Sequence, residues 1–303
     1  MYIYDELKQI LLEKGIQKTD LVKDLGLSSR TVAKIAKNEK LSDRTLDRIA
    51  TYLDTDVHSL YHIEADNLIL RRLRTEKETG SSGGLYHELQ VRMAYNSNHI
   101  EGSMLTEEQT RMIYETRSLL TDIAIPTDDI LETIHHFSAL NYVIDRAEEP
   151  LTEDIIKNIH FILKRDTTAV QKLFQNAGEY KREENTVGGR ETTPVKDVNR
   201  EMKNLLKSYH SLQTTTLEDI ISFHVLFERI HPFDDGNGRV GRLVALKECL
   251  HHNIIPFLIE DQKKAYYYRG LSKWNENHGW LIDTCKDGQD TFIELLDMLK
   301  IPY

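Results

Sequence analysis

Cysteine is scarce in this chain. Cys249 and Cys285 are the two among 303 residues, too few for a disulfide framework and in keeping with a reducing, cytoplasmic setting. Missing too is any apolar run approaching the roughly 18–20 residues of a spanning helix. The opening Met1-Tyr2-Ile3-Tyr4-Asp5-Glu6 lacks the basic-then-apolar layout of a secretory leader. No membrane partner is expected. Nor is there an excess of positive charge: 39 Lys and Arg face 49 Asp and Glu, a net −10 that argues against wholesale wrapping of nucleic acid. What is present, 40% apolar and 29% charged residues over a length ample for two domains, describes an ordinary folded protein.

The charge is unevenly spread. Residues 1–62 balance Lys and Arg against Asp and Glu, so the whole −10 falls in residues 63–303 and two units with different partners are expected. The first predicts five short helices. Leu7, Ile10, Leu11 and Leu12 make one apolar face. Thr19 is placed to cap a second helix that Gly26 ends. Ser28 caps a third with Val32, Ile35 and Ala36 inward, and Ser42 a fourth with the stripe Leu46, Ile49, Ala50 and Leu53. Residues 63–84 read as a linker helix followed by the break Thr79-Gly80-Ser81-Ser82-Gly83-Gly84. Helical periodicity fills nearly all of 85–303, with Thr127 and Thr152 as candidate caps. The exception is Gly178–Pro194, where Gly188-Gly189 predicts a small hairpin. The fold class is mainly α.

Chemistry concentrates in His231-Pro232-Phe233-Asp234-Asp235-Gly236-Asn237-Gly238-Arg239-Val240-Gly241-Arg242. An apolar helix, Ile220 to Ile230, ends against proline, and a glycine-bounded loop leads into a new helix. Successive N–H groups of Gly236, Asn237 and Gly238 at a helix start make an anion nest suited to phosphate. Arg239 and Arg242 lie one turn apart on one face, both able to grip phosphate oxygens. Asp235 is a hard oxygen ligand for Mg2+ riding on those phosphates. His231 stands at the loop's edge as a candidate general base. Two arginines where the helix dipole disfavours cations resist a purely structural explanation.

The segment resembles the signature of the Fic family, HPFx[D/E]GNGRxxR, with every specified position matched. The resemblance extends more loosely from Leu85 to the C-terminus. It implies an all-α fold with a hairpin flap, and transfer of AMP from ATP to a protein hydroxyl with Mg2+. In that reading His231 deprotonates a Tyr, Thr or Ser hydroxyl, of a foreign protein or of the chain itself, and Phe233 anchors the loop. Asp235 holds the metal, Gly236, Asn237 and Gly238 cradle the α-phosphate, and Arg239 and Arg242 hold the β/γ end. The flap, 178–196, aligns the target by main-chain pairing, with Val187 the candidate contact.

Ser97-Asn98-His99-Ile100-Glu101-Gly102 fits a second pattern associated with that family, [S/T]xxxE[G/N], at the close of helix 85–102. The resemblance implies an inhibitory helix whose Glu101 pairs with Arg242 and takes the donor that the γ-phosphate needs. It leaves open a hydrolytic use of Glu101, removing AMP from a modified target. Residues 5–61 resemble a Cro/repressor-type helix-turn-helix domain, with Ser28–Lys37 as the recognition helix. This implies DNA contact through Ser29, Arg30 and Lys34, with Lys37 and Lys40 suiting phosphates, and a homodimer. A transcriptional regulator whose second domain senses nucleotide or modifies its own chain is the rival reading. His135-His136 and His251-His252 lack the spacing of a zinc helix. His224 reads as a core histidine, and Tyr266-Tyr267-Tyr268 and Trp274 as packing residues.

Overall fold

The computed structural model describes residues 2–37, 39–63, 67–168 and 177–303. The chain divides into two compact units, Met1–Asp66 and Asn67–Tyr303. Helices dominate both. Among the described residues none is long and apolar enough to cross a membrane.

The first unit holds α1 (Asp5–Glu13), α2 (Lys18–Leu25), α3 (Ser29–Ala36) and α4 (Asp43–Leu53), then a 3-10 turn at Val57–Ser59 in place of a fifth α-helix. A short antiparallel pair, β1 (Tyr2–Ile3) with β2 (His62–Ile63), joins its two ends and had no sequence signal. Leu7, Leu11, Leu21, Ile35, Leu46, Ile49 and Leu53 form one buried core. Tyr4, fully buried, donates to the Glu39 carbonyl and accepts from the Leu41 N–H, tying the first residues to the segment after α3. Ser28 and Ser42 cap as expected, each hydroxyl accepting from the N–H three residues on. Thr19 does not. It lies within α2, whose entrance is fixed by Asp20 accepting from the Gln17 N–H at 2.8 Å. An aspartate three residues past the cap outcompeted the threonine.

The second unit runs α5 (Leu68–Thr79), α6 (Leu85–Ile100), α7 (Glu107–Thr116), α8 (Thr127–Asp145) and α9 (Glu153–Lys164). A hairpin, β3 (Thr186–Val187) with β4 (Arg190–Glu191), follows. Then come α10 (Val195–His210), α11 (Leu217–Ile230), α12 (Asn237–His251), α13 (Lys264–Ser272) and α14 (Gly279–Met298). Helix α12 is buried nearly all round and packs on α11, α8, α9 and α6, which makes it the axis of the unit. Thr152 caps α9, but α8 enters through Pro126 with Thr127 already helical and no side-chain cap. Residues 67–84 belong to this unit. Ile69, Leu70 and Leu73 of α5 lie in the main core, and the Gly/Ser stretch is a tight helix-to-helix connection. There Glu76, itself buried, accepts from the Tyr86 N–H at 2.8 Å, a carboxylate at the next helix's positive end. A side chain on Gly84 would collide with that carboxylate.

Candidate active site

The loop between α11 and α12 is locked by its own residues. His231 takes left-handed backbone (φ 51°), and its N–H closes α11 on the Phe227 carbonyl at 2.9 Å. Phe233 is fully buried and stacks on His160, ring centroids 3.9 Å apart. Asn237 accepts from the Phe233 N–H and donates to the Phe233 carbonyl, both at 2.9 Å. Its side chain therefore shapes the loop, and only its N–H faces the nest. Gly236 (φ 79°) supplies the left-handed turn into α12, whose first N–H groups have no side-chain cap. Uncapped donors at a positive helix end are an anion site.

His231 is oriented for proton transfer. Its Nδ1 lies 3.3 Å from the Glu228 carbonyl, which can only accept, so Nδ1 is assigned the proton and Nε2 keeps the lone pair. Burial holds its pKa below the ordinary 6.5, opposed by that carbonyl and aided by nearby Lys181, so the ring is neutral at pH 7.

Asp235 accepts from the Gly236 N–H at 2.6 Å and from Lys164 Nζ at 2.5 Å, with Arg239 Nη2 3.6 Å away. Burial pushes its pKa up, but Arg239 and Lys164 outweigh it and hold the carboxyl at about 2, ionised under any physiological condition. No group of three or more His, Cys, Asp or Glu among the described residues forms a metal cage. A lone, ionised, half-exposed carboxylate suits Mg2+ that brings phosphate and water as its other ligands. Arg239 is buried and ion-paired with Glu132.

Glu101 and Arg242 are in contact. Arg242 Nη2 donates to Glu101 Oε1 at 2.7 Å and to the Ser97 carbonyl at 2.9 Å, while Nε donates to Ser97 Oγ at 3.0 Å. Gly102, at φ 102°, turns the chain after the helix. A Cβ on Gly238 would collide with Glu101 Oε1, so this carboxylate lies over the anion nest itself. Burial raises its pKa, yet the Arg242 guanidinium wins and keeps it ionised. Behind Arg242, the Tyr267 hydroxyl lies 3.4 Å from Nη1 and shares a hydrogen bond with His224 Nε2 at 2.7 Å. His224 is thus a core histidine, its pKa driven down to about 3 by burial. Burial pushes Glu228 up to about 8, with Arg242 opposing.

The hairpin turns at Gly188 and Gly189, both at positive φ, as its two-residue connection requires. The Lys181 N–H donates to the Pro232 carbonyl at 2.8 Å and Asn185 Nδ2 to the Phe233 carbonyl at 3.1 Å, fastening its base to the catalytic loop. Val187 is 43% exposed on its strand. In the first unit Ser29 and Arg30 are exposed and Lys34 is half-buried, all on α3, while Lys40 rests over the Tyr2 ring. Sequence reasoning missed Glu132, Lys164, His160, Lys181, Asn185 and the choice of Tyr267. One signal was available: Lys164 follows Ile156 and His160 at helical spacing, on the buried face of α9.

Residues 150–249 match the Fic/DOC family and residues 6–66 a Cro/C1-type HTH DNA-binding domain. The protein adenylyltransferase Fic of Drosophila virilis is 28% identical over 248 residues, covering 80% of this chain and 48% of that protein. That of Drosophila persimilis is 31% identical over 185 residues, covering 60% and 35%. The chain thus spans about half the length, or less, of these curated relatives. A Fic-domain-containing signalling protein from Bacteroides thetaiotaomicron superposes with TM-score 0.59 at 23% identity, covering 76% of this chain and 95% of that one, a likeness of fold.

Proposed function

We propose that this chain, a Fic/DOC-domain protein with an N-terminal Cro/C1-type helix-turn-helix domain, transfers AMP from ATP to a Tyr, Thr or Ser hydroxyl of a protein, its own chain included, and rests in an inhibited state. The observation that carries this is one loop presenting a neutral imidazole, an uncapped helix start and an arginine already held by an internal carboxylate. His231 Nε2 takes the proton of the target hydroxyl, whose oxygen attacks the α-phosphorus. The bond from that phosphorus to the oxygen bridging the β-phosphate breaks, and pyrophosphate leaves. First-turn N–H groups of α12 hold the α-phosphate oxygens as charge develops there. Arg239 and Arg242 hold the departing end. Mg2+ at Asp235 would supply neutralisation of the phosphate charge. The hairpin lays the target strand beside the loop, with Val187 as the contact.

In the resting state Glu101 occupies Arg242, so the γ-phosphate lacks its donor and the α-phosphate settles out of line. Misplacement of about 1 Å costs on the order of a hundredfold. Intact mass spectrometry after incubation with ATP and Mg2+ tests the whole reading. AMP on Glu101→Gly, and none on Glu101→Gly/His231→Ala, is expected. An adduct surviving loss of His231 would refute the assigned base. The exposed Ser29 and Arg30 at the N-terminal end of α3 support DNA as a second partner, with half-buried Lys34 one turn further along the helix as the third contact.

A further inference from the structure

Behind the catalytic loop four charges close into an alternating ring. Lys164 Nζ touches Glu132 Oε1 and lies 2.5 Å from Asp235 Oδ2. The other Glu132 oxygen holds Arg239 Nη1, and Arg239 Nη2 returns to Asp235 Oδ2 at 3.6 Å. The side chains of Lys164 and Arg239 are 5% and 4% exposed, whereas Asp235 is 52% exposed, so the ring opens to solvent at Asp235. The Lys164 stem runs under Gly236, its Cδ 3.3 Å from where a Cβ would stand, and its ammonium lies between the two carboxylates. Asp235 Oδ1 already accepts from the Gly236 N–H. Oδ2 faces both Lys164 and Arg239, so a cation approaching this carboxylate meets the Lys164 ammonium already seated on it.

We propose that Lys164 is a resident counter-ion on the metal-ligating carboxylate, displaced toward Glu132 when a metal–nucleotide arrives, and so a positioning residue that sets the metal demand of the site. This rests on the reading of Asp235 as the metal-holding group. Cations on one carboxylate repel each other, so a metal arriving at Asp235 would disfavour the ammonium's place on it. Glu132 makes the exchange feasible. A buried ammonium stripped of its only carboxylate would be heavily penalised, and Glu132 remains in contact with it throughout.

The test uses the full chain with Mn2+ as the probe, titrated by electron paramagnetic resonance. The nucleotide is an ATP analogue with a methylene between the α- and β-phosphorus, which cannot be transferred. Lys164→Met, which keeps the buried stem's volume, is expected to tighten Mn2+ binding at least about fivefold, from loss of the competing charge. Lys164→Arg should stay close to wild type. Glu132→Gln should weaken Mn2+ binding, because both cations then rely on Asp235. That opposite sign separates the proposal from general damage and keeps it testable if Lys164→Met fails to fold. Unchanged affinity in Lys164→Met, or tightening in Glu132→Gln, overturns it. Asp235→Asn is the reference. If wild type and Asp235→Asn bind Mn2+ equally, the metal reading itself fails and takes this inference with it.

Discussion

Replacing Glu101 with Gly should uncouple activity from stability in opposite directions. Arg242 is 3% exposed and donates three hydrogen bonds to the end of α6, of which the one to Glu101 Oε1, at 2.7 Å, is charge-assisted. A hydrogen bond of that kind contributes about 1.5–3 kcal/mol. That is the advantage the γ-phosphate must overcome to claim the guanidinium, equivalent to roughly 10- to 150-fold in rate. AMP transfer by Glu101→Gly should rise by that order. The same change leaves Arg242 buried without its nearest counter-charge, which would cost several kcal/mol in a sealed site. Glu101 is 30% exposed and the Ser97 and Tyr267 contacts remain, so a loss of about 1–3 kcal/mol is expected. A time course of AMP incorporation by intact mass, beside a thermal melt, reads both. The double-mutant cycle decides the cause. If Glu101 acts through Arg242, adding Glu101→Gly to Arg242→Ala should change nothing. An equal gain in that background, or none in the wild-type one, would refute the reasoning.

Three further outcomes are expected. In Glu101→Gly, kcat/KM should fall on the acid side with a midpoint below the ordinary imidazole 6.5, because burial lowers the His231 pKa; a midpoint above 6.5 contradicts the assignment. The same depression means the unfolded chain takes up that proton first, so the stability His231 contributes is lost as pH drops toward its folded pKa. Arg30→Ala and Lys34→Ala should each weaken binding to a selected DNA site. Anisotropy titrations should show the salt slope falling by about 1 wherever the replaced side chain had neutralised a phosphate, and unaltered binding would remove α3 as the DNA face. Gly270→Ala should lower the melting temperature with a cost of about 1–3 kcal/mol. Its Cβ would meet the Leu281 Cα at 2.8 Å, and backbone cannot rotate aside.

The helices were legible where their signals are local. Ser28, Ser42 and Thr152 cap as read, since a hydroxyl and the N–H it serves lie three residues apart. Thr19 and Thr127 failed where a neighbouring residue supplied a better entrance. The Gly/Ser break looked like a linker because its composition is that of one, and burial of Ile69, Leu70 and Leu73 against distant helices is invisible to composition. The candidate loop was readable as one stretch, since the residues proposed as base, nest and metal ligand and both arginines are contiguous.

By itself the sequence determined the local shape of loop 231–242, for nest geometry and helix start follow from glycines and short-range backbone contacts. Only tertiary structure decided which charges surround it. Glu101 reaches Arg242 across 141 positions, Glu132 reaches Arg239 across 107, and Lys164 reaches Asp235 across 71. Such charges meet because α6, α8 and α9 bury their apolar faces around α12. Hydrophobic packing, with no preference of its own for one glutamate over another, sets which of them ends beside which arginine.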